Sequence, residues 1–138
     1  MITEFGAYAL VLALVLSALQ LILSAVGGAR RSSLLAGAGR GAALGAFLCT
    51  ALTFLALIHA FVVSDFSVAN VAANSHTAKP MLYKVAGAWG SHEGSMLLWC
   101  LVLTGYGAAV SSFGEALPPR LRAYAVATHG ALGLLFLA

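Results

Sequence analysis

Phe5-Gly-Ala-Tyr-Ala-Leu-Val-Leu-Ala-Leu-Val-Leu-Ser-Ala-Leu-Gln20-Leu-Ile-Leu-Ser-Ala-Val-Gly-Gly-Ala29 is a run of 25 residues without one charge. About 20 apolar residues in a helix cross a hydrocarbon core, so this stretch is long enough. Leu and Ala dominate and no alternating period appears, which favours a helix over a strand. A cleavable signal peptide would carry a cationic start and an apolar core of roughly 7–15 residues. Here the start holds Glu4 and no cation, so the run reads as a retained membrane helix.

Outward from it, uncharged runs recur at 41–64, 94–114 and 123–138. Of the 138 residues, 62% are hydrophobic and 8% charged, where a soluble domain carries about 25% charge. That excludes an ordinary soluble enzyme, a disordered tail and a disulfide-stapled secreted domain. The expected fold is an all-α polytopic membrane helix bundle with four transmembrane helices at 5–28, 41–63, 94–113 and 122–138, and an extramembrane loop over 64–93. Arg30, Arg31 and Arg40 are expected in the first connection and Arg120 and Arg122 in the third; the positive-inside rule puts both in the cytoplasm. The N-terminus and the 64–93 loop then face the periplasm of a bacterium, across its inner membrane. The net charge of +3 is too small and dispersed to track a nucleic-acid backbone. Cys49 and Cys100 lie inside apolar runs and read as small buried hydrophobes, not as metal or redox ligands.

Small residues offer two readings. Gly37, Gly39 and Ala42 satisfy a loose dinucleotide-binding pattern, but that pattern needs a strand before it and a βαβ unit around it. Gly41 with Gly45, and Gly105 with Ala109, instead fit close packing of membrane helices. Gln20 is expected to donate a hydrogen bond between helices, His59 to reach headgroups or water, and His129 to pair across helices.

The densest polar stretch is Trp89-Gly-Ser-His92-Glu93-Gly-Ser-Met-Leu-Leu-Trp99. Continued as one helix, it puts His92, Ser95 or Met96, and Trp99 on one face, with Trp89 and Glu93 as a neighbouring stripe. An indole, an imidazole and a carboxylate at a membrane surface suit a flat aromatic ligand, a metal or a proton relay. The same residues also fit an aromatic belt with a capped helix start, Ser91 as cap and Glu93 in the first turn. His92-Glu93 lacks the second histidine of the zinc-protease motif, so no metal site is expected from it. The preceding loop, about 29 residues, exceeds what a plain connector needs.

Asp65-Phe-Ser-Val-Ala, Ala73-Asn-Ser, Pro80, Leu82-Tyr-Lys and the Trp89–Trp99 string together resemble the N-terminal region of the CcmF family, the large membrane subunits of bacterial cytochrome c haem lyase. The opening Glu4-Phe-Gly-Ala-Tyr-Ala-Leu resembles the family's start, and the likeness runs from Met1 onward. The resemblance implies attachment of haem to the cysteines of apocytochrome c in the periplasm. It also implies an integral haem b and, as partners, a haem chaperone, thiol-handling subunits of the maturation system, and the lipid bilayer. Trp89, His92, Glu93 and Trp99 become the candidate surface facing haem or cytochrome. Family members are several times longer, and their tryptophan-rich haem-handling segment and histidine ligands lie downstream of what is present here. No ligand role therefore transfers to His59, His76, His92 or His129. The chain reads as an N-terminal fragment expected to be inactive alone. Two other classes stay open: a transport or proton-conducting subunit with Gln20, His59, His92, Glu93 and His129 along a polar path, and a purely structural assembly subunit.

Overall fold

The computed structural model describes residues 2–137, so Met1 and Ala138, where the expected resemblance begins and the fourth expected span ends, lie outside the described residues. Six α-helices follow one another: α1 (Ile2–Arg30), α2 (Ser33–Val62), α3 (Ala69–Asn74), α4 (Met81–Gly90), α5 (His92–Phe113) and α6 (Pro119–Leu137), with a short 3-10 turn at Gly114–Ala116. No strand occurs among the described residues. α1 packs along α2 and α6, and α5 also packs along α2 and α6, which closes a four-helix ring. Neighbours in the ring run antiparallel: Gly6 meets Ala56 and Gly27 meets Ala36, while Gly28 meets Ala123 and Gly133 meets Ser17.

Three helices are long and apolar enough to cross a membrane: Glu4–Arg30, Ser33–Val62 and His92–Ala116. α6 is not among them; its first turn carries Arg120 and Arg122. Its 19 residues still measure about 28 Å at the helical rise.

The bundle is inverted relative to a soluble one. α1 buries Gly6, Ala9, Ala13, Ser17, Gln20, Ser24 and Gly27 at three- and four-residue spacing. Its bulky Phe5, Tyr8, Val11, Leu12, Val15, Leu19 and Ile22 point outward. α2 repeats this, with Ala42, Ala43, Ala46 and Ala60 inside and Leu44, Leu48, Leu52 and Leu55 outside. Lipid tails are as apolar as leucine, so helices gain from close backbone approach and from interhelical hydrogen bonds. Thr53 Oγ1 donates across to the Gly6 carbonyl at 3.0 Å, and Gln20 Nε2 donates to the Val126 carbonyl at 2.8 Å.

Two expectations are corrected. The first connection is only Arg31 and Ser32: α2 starts at Ser33, capped by Ser32 Oγ accepting from the Leu35 N–H, and Arg40 lies on the helix. Close packing falls on the named glycines only in part: a Cβ at Gly45 would stand 3.0 Å from Leu16 of α1, but the tightest approaches are at other glycines. A Cβ at Gly41 would meet nothing within 4 Å, whereas one at Gly39 would collide with Ser24, and Gly107, not Gly105, faces Gln20 and His129. Gly105 meets only the Phe47 ring edge, at 3.3 Å. Positions two residues apart on a helix differ by about 200°, so choosing the next glycine along selects another face. The 64–93 loop is structured, with α3 and α4 inside it.

Candidate functional site

The 64–93 loop starts from a hydrogen-bonded stop. Ser64 takes a left-handed conformation (φ 55°), the Asp65 N–H reaches the Ala60 carbonyl at 2.9 Å and the Ser64 N–H reaches the Phe61 carbonyl at 3.2 Å. This is a Schellman ending with a serine where glycine is usual. Asp65 then folds the chain back: its Oδ1 accepts from Ser67 Oγ at 2.5 Å and from the Ser67 N–H at 3.2 Å. The Ser67 hydroxyl, chiefly, holds the Asp65 carboxyl below the usual range.

Under this loop sits a small core. Phe61, Ala60, Val71 and Ala88 are buried together, with Leu57, Ile58 and Val68 packed against them. A Cβ at Gly87 would stand 2.9 Å from the Phe61 ring, so the glycine lets α4 settle on α2. Phe61 escaped the sequence reading; the available signal was the small trio Ala86-Gly87-Ala88 inside a polar loop.

From Ala88 the chain makes an elbow. α4 ends at Gly90 and Ser91 is extended (ψ 159°), with its Oγ accepting from the Gly94 N–H at 3.1 Å to cap α5. Ser95 Oγ donates back to the Trp89 carbonyl at 2.5 Å. Gly94 is required by contact: a Cβ there would run into the Ala88 carbonyl. Glu93 lies in the first turn of α5, where the helix dipole favours an anion.

The elbow corrects the expected single helix through Trp89–Trp99. Trp89 sits on α4 and Glu93 on α5, so the two do not form one stripe. His92, Met96 and Trp99 do share α5 at helical spacing and are all exposed, Trp99 to 63%. Trp89 is exposed to 43%, and Leu82 and Tyr83 nearer the start of α4 are exposed too. The polar and small residues Ser91, Gly94 and Ser95 are thus consumed in building the bend, and the four candidate side chains Trp89, His92, Glu93 and Trp99 are left on its surface.

The other singled-out groups divide. His59 and His76 are exposed. His129 is half-buried, and its Nδ1 pairs at 3.0 Å with the Ala125 carbonyl of its own helix, not across helices as expected. Gln20 matches expectation, bonding α1 to α6. Gln20 and His129 both meet Gly107 in the bundle interior, while His59, His92 and Glu93 lie outside. These five groups do not form one polar file. Cys49 and Cys100 are buried and free.

A resident haem b is what the resemblance implied, with its ligands downstream; here His59, His76 and His92 are exposed and His129 Nδ1 is bonded within its own helix, so no buried pair of imidazoles is present to hold its iron. Among the described residues no group of three or more His, Cys, Asp or Glu is placed to hold a metal ion. The cavity at the elbow end of the bundle, about 150 Å³, is lined by Gly6, Ala56, Leu57 and Leu97 without an imidazole.

No protein-family model matches the chain. It is 51% identical to cytochrome c-type biogenesis protein ccl1 of Rhodobacter capsulatus over 99% of this chain and 21% of that protein. It is 39% identical to cytochrome c-type biogenesis protein CcmF of Escherichia coli, again over 99% of this chain and 21% of that protein. Among solved structures, cytochrome c haem lyase CcmF superposes with a TM-score of 0.92 at 31% identity, covering 99% of this chain and 23% of that one. The chain therefore spans about a fifth of the length of the curated relatives it matches.

Proposed function

Along 99% of its length the chain is a counterpart of part of the CcmF family of cytochrome c-type biogenesis proteins, and on that premise we propose that it serves as a membrane portion of a haem lyase that attaches haem to apocytochrome c. The observation that carries this reading beyond similarity is the elbow. Its structural parts, Ser91, Gly94 and Ser95, face inward or into the bend, and they leave Trp89, His92, Glu93 and Trp99 free at one end of the bundle. Indole faces suit a flat macrocycle or an aromatic cytochrome surface.

In this reading haem is a substrate presented to the outer surface. The chain's own groups hold the surface in place: Phe61 seats α4, and the Gly94–Ala88 contact sets the angle at which Trp89 and Trp99 emerge. The haem b of the lyase is assigned to no residue here. The partners are a haem chaperone, a thiol-handling subunit and apocytochrome c, and the setting is the bacterial inner membrane with four passes and the outer loop in the periplasm. Support for the fourth pass comes from the length of α6 and its packing along α1 and α5.

The test places Trp89→Ala, His92→Ala and Trp99→Ala at the matching positions of a full-length lyase and measures covalent cytochrome c. Each is expected to lower the yield while the protein accumulates normally in the membrane. Normal yield from all three sinks the assignment of this surface and leaves only an assembly role for the segment.

A further inference from the structure

At the end of the bundle opposite the elbow, α1 stops, α2 starts and α6 starts around a cavity of about 370 Å³. Gly28, Ala36 and Ala123 make the room, and Arg31, Ser33 and Arg120 supply the polar wall. No acidic residue lines it. Arg31 is held in a left-handed turn (φ 52°) by the Ser32 N–H bonding the Gly27 carbonyl at 2.9 Å, and the Arg120 guanidinium lies 5.8 Å from the Tyr124 ring centre. Ser32 already caps the Leu35 N–H. The first N–H groups of α2, at Ser33 and Leu34, have no helical partner, as at any helix start, and favour an anion.

A second cavity of about 360 Å³ adjoins it, sharing Ser33, Ala36, Pro119 and Ala123. It is a poorer anion site. Glu115 lines it, and the Arg122 guanidinium is already bonded to the Val110 and Ser111 carbonyls at the end of α5.

We propose that the Arg31–Arg120 cavity binds the phosphate of an anionic phospholipid headgroup, such as phosphatidylglycerol. The ligand chemistry is a phosphate anion, which a lipid or free phosphate would supply. Lipid is favoured because Leu34 (82% exposed) and Leu121 (54% exposed) stand bare beside the two arginines. The charged head and the apolar chains would then find matching surfaces at the membrane boundary. Basic pockets between membrane helices are suited to such headgroups. This site is independent of the elbow and of haem chemistry.

Native mass spectrometry of the intact chain in neutral detergent, titrated with phosphatidylglycerol or phosphatidylcholine, tests it. The expected result is a phosphatidylglycerol adduct that phosphatidylcholine does not form at equal concentration. Each arginine near the headgroup contributes about five-fold, so Arg31→Gln/Arg120→Gln is expected to weaken the adduct about twenty-five-fold. Arg30→Gln removes one charge at the same end but does not line the cavity, and it is expected to weaken binding less than Arg31→Gln or Arg120→Gln does. Ser33→Trp keeps every arginine and blocks the mouth; it too is expected to lose the adduct, so the proposal does not rest on the double variant folding. Inorganic phosphate competing as well as the lipid would make this a free-phosphate site and overturn the lipid assignment. Equal adducts with both lipids, or Arg30→Gln matching the double variant, would overturn the site altogether.

Discussion

Gly94 and Gly90 stand four residues apart in the elbow and have opposite reasons to be glycine. A Cβ at 94 meets the Ala88 carbonyl, which is backbone and cannot swing aside, whereas a Cβ at 90 meets nothing within 4 Å. Gly94→Ala is therefore expected to cost about 3 kcal/mol, at the upper end of overpacking penalties, and to open the bend between α4 and α5. Gly90→Ala is expected to be nearly neutral. Unfolding in detergent combined with protease sensitivity around Ser91 distinguishes the two. Asp65 carries the pH dependence of the neighbouring turn. Its folded pKa is lowered, first by the Ser67 hydroxyl, so the turn's support is complete above the ordinary carboxylate value of 3.8. It is lost as pH falls through the lower folded value. An NMR titration is expected to show the Ser67 amide shifting at a pH below that of a free aspartate, and Asp65→Asn to abolish the transition. A shift at the ordinary value would remove the hydroxyl from the account.

Helices α1 and α6 meet through residues too small to cover each other. A Cβ on Gly130 would stand 2.7 Å from the Leu21 backbone nitrogen and 3.0 Å from the Ser17 carbonyl oxygen. Gly130→Ala must part the helices and stretch the Gln20–Val126 bond, a loss expected at about 1–3 kcal/mol. Gly41→Ala is the counterpart on a free face, expected to stabilise α2 by up to about 1 kcal/mol through helix propensity alone. Steric-trap or denaturant unfolding in micelles reads both, and equal effects would deny the seam its role. These helices were legible as elements because uncharged runs announce membrane spans, but their seams were not. An outward leucine and an inward alanine are both apolar, so hydropathy does not reveal which face packs. The first turns of α2 were missed for a related reason. Ser33-Leu-Leu-Ala-Gly-Ala-Gly-Arg40 has the glycines and charge of a connector, and only the Gly39–Ser24 and Gly27–Ala36 approaches make helix the better choice. At the elbow, Ser91 and Glu93 were legible as a helix start. The break before it was not, since nothing in the sequence showed that Gly94 would lie on Ala88.

Across the whole molecule the charges separate by end. Arg30, Arg31, Arg40, Glu115, Arg120 and Arg122 gather where α1 and α5 finish, and Glu4, Asp65, Lys79, Lys84 and Glu93 gather at the other end. The first set sums to +4 and the second to −1, which together restore the net +3 of the chain. Helix packing alone could not impose that order, because an antiparallel ring buries the same seams whichever end faces the cytoplasm. Orientation in the bilayer is instead a matter of the cationic side chains, and the arginine-rich end is expected inside. The prediction is open to direct measurement, since Cys49 and Cys100 are buried and give little background. An impermeant maleimide added to intact spheroplasts is expected to label Thr77→Cys, in the outer loop, and to leave Glu115→Cys unlabelled until the membrane is opened. Replacing Arg30, Arg31 and Arg40 by Gln while adding lysines beside Thr77 is expected to populate the reverse pattern. Labelling of Glu115→Cys in intact spheroplasts carrying the native arginines would invert the topology, and with it the outward placement of Trp89, His92, Glu93 and Trp99.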